Sequence, residues 1–259
     1  MTDELLYEIQ DGIGRITFNR PAQRNAFTFA MYERLAEVCT EIETDPSVKA
    51  LILTGAGDKA FAAGTDISQF KAFKTPEDAL TYEARIDRVL GALERCRVPT
   101  IAAIVGACTG GGAGIAAACD LRIAATGAKF GFPIARTLGN CLSTGNYARL
   151  TALVGPARVK EMIFLAKLVS AEEALAIGLV TEVLESQDAL MARATDMATI
   201  VAGHAPLTLR ATKEALRRIK EKSLADEDRD LILSCYMSED FKEGMDAFLN
   251  KRPPVWQGR

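Results

Sequence analysis

Two glycine-containing segments each follow an apolar run, and both have a composition that suits contact between a ligand and the main chain. The longer segment is "TGGGAG" at residues 109–114, and the other is "AFAAGTD" at residues 60–66. Glycine in a helix costs up to about 1 kcal/mol relative to alanine, so packing or function must offset it. Because the first N–H groups of a helix lack intrahelical partners and favour negative charge, the two segments predict a backbone site for an anion or an oxyanion.

A nucleotide site is the alternative use of these glycines. Residues 112–117, "GAGIAA", fit the dinucleotide pattern G-x-G-x-x-A. The acid that should bind the ribose about 20 residues later is missing, since Asp120 comes too early and the next acid is Glu161. No Gly-Lys-Ser/Thr follows either, which excludes a P-loop. The oxyanion site remains.

Composition narrows the class of protein. The 259 residues include 34 acidic and 31 basic side chains, for a formal net charge of −3, and no dense Lys/Arg block predicts nucleic-acid binding. The six cysteines form no C-x-x-C pair, and His204 is the single histidine, so we expect no metal site and a reducing compartment. The first residues, "MTDELLYEIQ", lack a basic segment followed by an apolar one, which favours the cytoplasm.

The stretch from Pro99 to Cys119 carries no charge over 21 residues, and a membrane span is one interpretation. Its five glycines and its Ala/Gly-rich second half favour a buried strand followed by a buried helix instead. We therefore expect no membrane segment.

The elements that must position these glycines follow a repeated order. "LLYEIQDGIGRITF" predicts a hairpin around Asp11-Gly12. Helices are predicted over 28–44, 76–96 and 112–119, with strands in "VKALILTGAG", "PTIAAIVG" and "LRIAA". After about Pro156 the pattern is mainly helical, and only "LVTEV" is typical of a strand. This order predicts an α/β fold of strand-strand-helix units with a helical C-terminal part.

At this point the sequence resembles the crotonase, or enoyl-CoA hydratase/isomerase, superfamily. The resemblance covers nearly the whole chain and rests on these segments: "NRPAQRNAF", "AFAAGTDI", "TGGGAGIAAACDLRIA", "AKFGFP", "VGPARVKEMIFLAKLVSAEEALAIGLVTEV" and "EDFKEGMDAFLNKRPP". It implies a spiral core over residues 1–200, and a helical region over 201–259 that caps the site and forms a trimer or a dimer of trimers.

The same resemblance implies the site. The substrate is an acyl-coenzyme A thioester, whose carbonyl oxygen is expected between the N–H groups of Thr65 and Gly111, with an enolate as the intermediate. Coenzyme A is part of the substrate, so no separate cofactor is expected. The residues implied at the coenzyme are Arg24, Ala26, Ala63, Asp66, Ile67 and Lys251. Asp66 and Asp120 also match positions that join elements beneath the site.

Hydratases of this family place a pair of glutamates about a water molecule, and this sequence departs from that pattern. The first position is Gly114, and the second falls on Ile134 or Ala135. Because hydration needs a base for water and an acid for the α-carbon, we expect little ordinary hydratase activity. Some members use an aspartate at a third position, which here is Ser143.

Four polar residues remain beside the expected acyl pocket: Arg136, Asn140, Cys141 and Ser143. One hypothesis is an enzyme of the decarboxylase, isomerase or lyase type. In decarboxylation of a malonyl-type thioester, loss of carbon dioxide itself forms the enolate, and Arg136, Asn140 or Ser143 would position the departing carboxylate. Otherwise Arg136 is a surface residue, Cys141 a small buried residue, and Asn140 and Ser143 are turn and cap residues. The second hypothesis is a non-catalytic acyl-CoA binder that retains the pocket.

Overall fold

A hairpin opens the chain and leads into alternating strands and helices. The computed structural model describes residues 4–221 and 229–259. The described strands are β1 (Leu5–Gln10), β2 (Ile13–Phe18), β3 (Ala50–Gly55), β4 (Ala60–Ala62), β5 (Thr100–Ile104), β6 (Ala107–Thr109), β7 (Leu121–Ala125), β8 (Lys129–Gly131), β9 (Val169–Ser170) and β10 (Glu182–Leu184). The described helices are α1 (Phe29–Thr44), α2 (Pro76–Arg95), α3 (Gly111–Ala118), α4 (Ile134–Thr137), α5 (Thr144–Phe164), α6 (Ala171–Ala176), α7 (Gln187–Ala202), α8 (Pro206–Glu221), α9 (Arg229–Tyr236) and α10 (Glu239–Leu249).

The strands lie in two sheets that the chain visits in turn. Within the described ranges, the larger sheet has the order β1-β2-β3-β5-β7-β10 and the smaller one β4-β6-β8-β9. From β3 onward, a strand of the larger sheet is followed by a strand of the smaller sheet and then by a helix, in the units β3-β4-α2, β5-β6-α3 and β7-β8-α4. This confirms the predicted α/β spiral of strand-strand-helix units. The hairpin is also confirmed, because β1 and β2 are antiparallel and Gln10 lies opposite Ile13.

The central strands of the larger sheet, β3, β5 and β7, are buried on both faces, which explains their continuous apolar sequences. In β3, Leu51 and Leu53 belong to the main core with α1 and α2, whereas Ala50 and Ile52 pack in a second cluster against α7. Side chains alternate between the faces of a strand, so one six-residue run supplies both cores.

Helix α5 begins earlier than the sequence predicted. We expected this part of the chain to become helical only after Pro156, but α5 begins at Thr144, with Ser143 as its N-cap, and bends at Gly155, whose φ is 76°. Its first turns bury Asn146 and Arg149, and the Arg149 guanidinium pairs with Glu94. These polar residues interrupt the apolar periodicity from which a helix is predicted.

The C-terminal helices lie against the spiral. Helix α9 packs on α2, and α10 packs on α4 and on the 3₁₀ turn Ile67–Ala72. Within the predicted helical C-terminal part, the segment "ADEDRDLILSCYM" at residues 225–237 is typical of a helix. It begins outside the described residues, and its described part contains α9. The predicted boundary at residue 200 falls in the last turn of α7. Separate domains and a trimeric state stay predictions, the latter measurable by analytical ultracentrifugation. Over residues 4–221 and 229–259, the helices are too short or too polar to cross a bilayer.

Candidate active site

One cavity of about 750 Å³ brings together most of the residues singled out in the sequence. It lies where the loop after β4, the start of α3, the inner face of α2 and the C-terminal end of the chain meet. The predicted residues that line it are Arg24, Ala26, Ala63, Thr65, Asp66, Ile67, Gly111, Asn140 and Lys251. The fold thus brings the two glycine loops, the expected coenzyme segments and part of the α4–α5 loop together around this one cavity.

The two glycine loops are in contact at the wall of this cavity. A Cβ on Gly64 would lie 3.4 Å from the Thr109 carbonyl oxygen and 3.8 Å from the Gly111 nitrogen. Gly64 has φ +100° and Gly110, the N-cap of α3, has φ +53°. Residues other than glycine are strained at these positive φ values. The close approach of the two loops therefore depends on glycine at both positions.

Gly111 is required by a close contact rather than by its backbone conformation. A Cβ at this position would lie 2.0 Å from the Tyr32 hydroxyl oxygen and 3.3 Å from Thr65 Oγ1. Tyr32 is fully buried and cannot swing away. Its hydroxyl therefore occupies the space that any side chain at residue 111 would need.

The Thr65 hydroxyl lies between two buried tyrosines. Its Oγ1 is 2.9 Å from the Tyr32 hydroxyl and 2.8 Å from the Tyr82 hydroxyl. Burial raises the pKa of both tyrosines, so they remain protonated at neutral pH. These contacts fix Thr65 through its side chain. In the described part of the chain, no loop hydrogen bond uses the N–H of Thr65 or Gly111, and the Gly111 N–H precedes the hydrogen-bond ladder of α3.

The expected coenzyme residues form the outer part of the cavity. Arg24 and Lys251 are exposed there, and both have left-handed backbone conformations, with φ of 50° and 52°. Asp66 is bound to Arg20 at 3.1 Å and accepts hydrogen bonds from Ser68. Although partial burial acts to raise its pKa, these hydrogen bonds and the Arg20 charge lower it. Asp66 therefore joins elements as well as lining the cavity.

The polar residues expected at the acyl end separate into two groups. Asn140 lines the cavity, whereas Arg136 is exposed on α4 and lies outside the lining. Ser143 is 1% exposed, caps α5 and donates a hydrogen bond to Asp87 Oδ1 at 2.8 Å, so it also lies outside the lining. Cys141 is half-buried and lies near the Leu231 carbonyl oxygen, and His204 is exposed between α7 and α8. Of these candidates, only Asn140 reaches the cavity.

The two expected glutamate positions differ in their surroundings. Gly114 and Ile134 line the cavity, and Ala135 is exposed outside it. A Cβ on Gly114 would make ordinary contacts, 3.4 Å from Leu90 Cδ1 and 3.6 Å from Asn146 Oδ1. The structure thus supplies neither a carboxylate nor a substitute acid at these two lining positions.

A carboxylate that sequence reasoning missed does line the cavity. Glu83 of α2 is 4% exposed, and its Oε1 accepts a 2.5 Å hydrogen bond from the Tyr236 hydroxyl. Asn140 Nδ2 in turn donates to the Tyr236 oxygen at 3.2 Å. The available signal was the spacing of Glu83, Ile86 and Leu90, which puts an acid on the apolar face of an amphipathic helix. Within the described ranges, no group of three or more His, Cys, Asp or Glu side chains could hold a metal ion.

Comparison with known proteins agrees with this architecture. Residues 8–259 match the enoyl-CoA hydratase/isomerase family. This chain belongs to that family. It is 37% identical over 254 residues to a short-chain-enoyl-CoA hydratase of Clostridium acetobutylicum, with 96% of both chains covered. It is 39% identical to a probable enoyl-CoA hydratase of Mycobacterium bovis, with 99% of both covered. A solved structure of methylmalonyl-CoA decarboxylase bound to 2-nitronate-propionyl-CoA superposes with a TM-score of 0.90 at 28% identity, with both chains covered completely.

Proposed function

We propose that this family member binds an acyl-coenzyme A thioester and stabilises its enolate between the N–H groups of Thr65 and Gly111. The observation that carries the proposal is the contact between the two glycine loops at the wall of one cavity. Two preorganised N–H donors in a site that excludes water stabilise a developing oxyanion. Arg24, Ala26, Ala63, Asp66, Ile67 and Lys251 form the coenzyme part of the site in this proposal.

The reaction proposed is of the decarboxylase, isomerase or lyase type rather than two-glutamate hydration. Gly114 and Ile134 line the cavity at the expected glutamate positions and carry no ionisable group. Each acid or base typically contributes 10²–10⁴-fold to a rate, so crotonyl-CoA hydration should be slow. A measurement of crotonyl-CoA hydration close to diffusion-limited turnover would contradict this part of the proposal.

Hydration is the second candidate, and the names of the relatives favour it. Both sequence relatives described above are named as enoyl-CoA hydratases, at 37% and 39% identity. In that case one carboxylate of the cavity would have to serve as both acid and base. The likeness to methylmalonyl-CoA decarboxylase favours decarboxylation instead, but Arg136, the cation expected to position a departing carboxylate, is exposed outside the lining.

The test is a panel of thioesters in deuterated water. We expect enoyl-, 3-enoyl-, malonyl- or hydroxyacyl-CoA to turn over, and acetyl-CoA to bind in calorimetric titration. Exchange of α-protons with solvent reports enolate formation whichever product follows. Binding without turnover or exchange would identify a non-catalytic acyl-CoA binder, and no binding at millimolar ligand would refute the proposal.

We further propose that the reaction needs no metal, flavin or redox nucleotide, since an enolate held by N–H groups requires none. Activity should survive dialysis against a chelator, and restoration of a lost activity by a metal ion would contradict this. A cytoplasmic location and assembly as a trimer or a dimer of trimers remain predictions.

A further inference from the structure

Glu83 occupies a position where a merely structural side chain would be apolar. It is 4% exposed and lines the cavity together with Ile86 and Leu90, which follow three and seven residues later on α2. Burial of a carboxylate is costly, so a packing role on this face of the helix would favour leucine or methionine. A carboxylate at this buried position on the cavity wall therefore indicates a chemical use.

Two distant segments hold this carboxylate in place. The Tyr236 hydroxyl donates to Glu83 Oε1 at 2.5 Å, and Asn140 Nδ2 donates to the Tyr236 oxygen at 3.2 Å. The Tyr236 ring is 1% exposed and packs against Phe241, with ring centroids 4.8 Å apart. Packing of the ring holds the Tyr236 hydroxyl between Asn140 and Glu83, and the three side chains form a hydrogen-bonded relay.

The direction of the relay leaves Glu83 as the acceptor. Burial, followed by the negative charge of Glu83, raises the pKa of Tyr236 well above its usual value. Tyr236 thus keeps its proton at neutral pH and donates it in a hydrogen bond. Glu83 lines the cavity and accepts this hydrogen bond, so its carboxylate is placed to accept a proton from carbon.

Helix α2 also connects this carboxylate to the oxyanion loop. Tyr82, the residue before Glu83, contacts Thr65 Oγ1 at 2.8 Å and lines the same cavity. Of two consecutive residues on one helix, Tyr82 therefore holds Thr65, which offers the oxyanion N–H, and Glu83 supplies the carboxylate. Placement on a rigid element favours a reproducible geometry.

The charge in the cavity discriminates between the proposed reactions. Decarboxylation would bring the negative carboxylate of a malonyl-type substrate into the cavity that already contains Glu83, and like charges at low dielectric repel strongly. Isomerisation of a double bond involves a neutral acyl group and needs one carboxylate that removes and returns a proton. The carboxylate present suits isomerisation.

From these contacts we infer that Glu83 is the catalytic acid and base of this site, that Tyr236 is its positioning residue, and that the substrate is a 3-enoyl thioester. The inference rests on the proposed function, since it requires the enolate site. Glu83 removes a proton from C2, and the C–H electron pair forms a dienolate with negative charge on the thioester oxygen. The thioester carbonyl then re-forms, a double bond forms between C2 and C3, and C4 takes the proton back from Glu83. The product is the 2-enoyl thioester, and no co-reactant is needed.

The experiment compares wild type with Glu83→Gln on 3-hexenoyl-CoA, measuring the conjugated 2-enoyl product by ultraviolet absorbance. We expect kcat to fall by about 10²–10⁴-fold in the variant. Acetyl-CoA affinity and circular dichroism should be unchanged, because glutamine is nearly isosteric and can still accept from Tyr236. Tyr236→Phe should lower kcat by roughly tenfold with little change in KM, which is the pattern of a positioning group.

Glu94→Gln is the matched control. Glu94 is a half-buried carboxylate of α2, but it pairs with Arg149 and Lys220 and lies outside the cavity. Its loss should lower stability and leave kcat per folded molecule within about twofold. If Glu83→Gln does not fold, the double variant Glu83→Met/Tyr236→Phe removes both polar partners together, which preserves packing.

The outcomes separate this inference from the proposed function. Folded Glu83→Gln, or the folded double variant, with turnover within threefold of wild type would overturn the role of Glu83. Wild type that exchanges α-protons or transforms other thioesters but leaves 3-hexenoyl-CoA unchanged would overturn the substrate class. Wild type that neither exchanges nor transforms any thioester would refute the proposed function itself.

Discussion

The two ends of the cavity differ in the groups that form them, main-chain groups at one end and side chains at the other. At one end, main-chain groups of two glycine loops meet, and the glycines are required because Gly64 and Gly111 lie within contact of neighbouring backbone or side chains. At the other end, three side chains from separate segments, Glu83, Asn140 and Tyr236, form a hydrogen-bonded relay. The backbone end depends on small residues at fixed places in two local motifs, whereas the side-chain end depends on how distant side chains pack.

At the backbone end of the cavity, the largest effect is expected at Gly111. A Cβ there meets the Tyr32 hydroxyl at 2.0 Å, so both Gly111→Ala and Gly111→Pro would be confounded by a collision. In a Tyr32→Phe background the hydroxyl is gone and the ring carbon Cζ lies 3.3 Å from the added Cβ, so the collision is relieved. We expect Gly111→Ala to retain the N–H and its activity in that background, while Gly111→Pro loses about 10²–10³-fold in kcat. Equal turnover of the two folded double variants would show that the Gly111 N–H is not an oxyanion donor.

Packing beneath the same loop distinguishes Gly112 from Gly114. A Cβ on Gly112 would lie 2.2 Å from the Ala62 carbonyl oxygen, whereas one on Gly114 would make ordinary contacts. We expect Gly112→Ala to lower the free energy of unfolding by about 1–3 kcal/mol. Gly114→Ala should raise it by up to about 1 kcal/mol, because alanine favours the helix. Denaturant melts of both variants measure the difference. Equal stabilities would show that close packing against Ala62 does not explain the glycine at residue 112.

Thr65→Val separates the main chain of the loop from its hydroxyl. The N–H remains, but the hydroxyls of Tyr32 and Tyr82 lose a shared partner. We expect the free energy of unfolding to fall by about 1–3 kcal/mol, the usual cost of unsatisfied buried polar groups. Turnover per folded molecule should stay within about tenfold of wild type. If a fully folded variant lost 10³-fold in turnover, the hydroxyl of Thr65 rather than its N–H would be the catalytic group.

The smallest effect is expected from Gly114→Glu, which adds one hydratase carboxylate. The position lines the cavity and has room for a Cβ, so the variant should fold. Crotonyl-CoA hydration should stay at the wild-type level, because its expected partner at residue 134 is isoleucine. Gly114→Glu/Ile134→Glu is the comparison variant. Hydration that rises in the single variant would show that another group, with Glu83 the first candidate, already acts as the second acid.

The sequence by itself determined the order of elements and the backbone end of the site. The hairpin at Asp11-Gly12, the buried strands and the glycine loops are local signals, since turn chemistry, apolar runs and glycine positions are read over a few residues. Resemblance then predicted the coenzyme residues, all of which line the cavity. Local patterns of this kind survive in the fold because each element must satisfy its own backbone before it packs.

Only the tertiary structure decided the side-chain end. Arg136 and Ser143 are neighbours of the acyl segment in sequence, yet α4 exposes the first and the start of α5 uses the second as a cap. Glu83 and Tyr236 are 153 residues apart, and no local pattern relates them. They meet because α9 packs on α2, and the direction of a side chain on a helix is known only once its neighbours are placed.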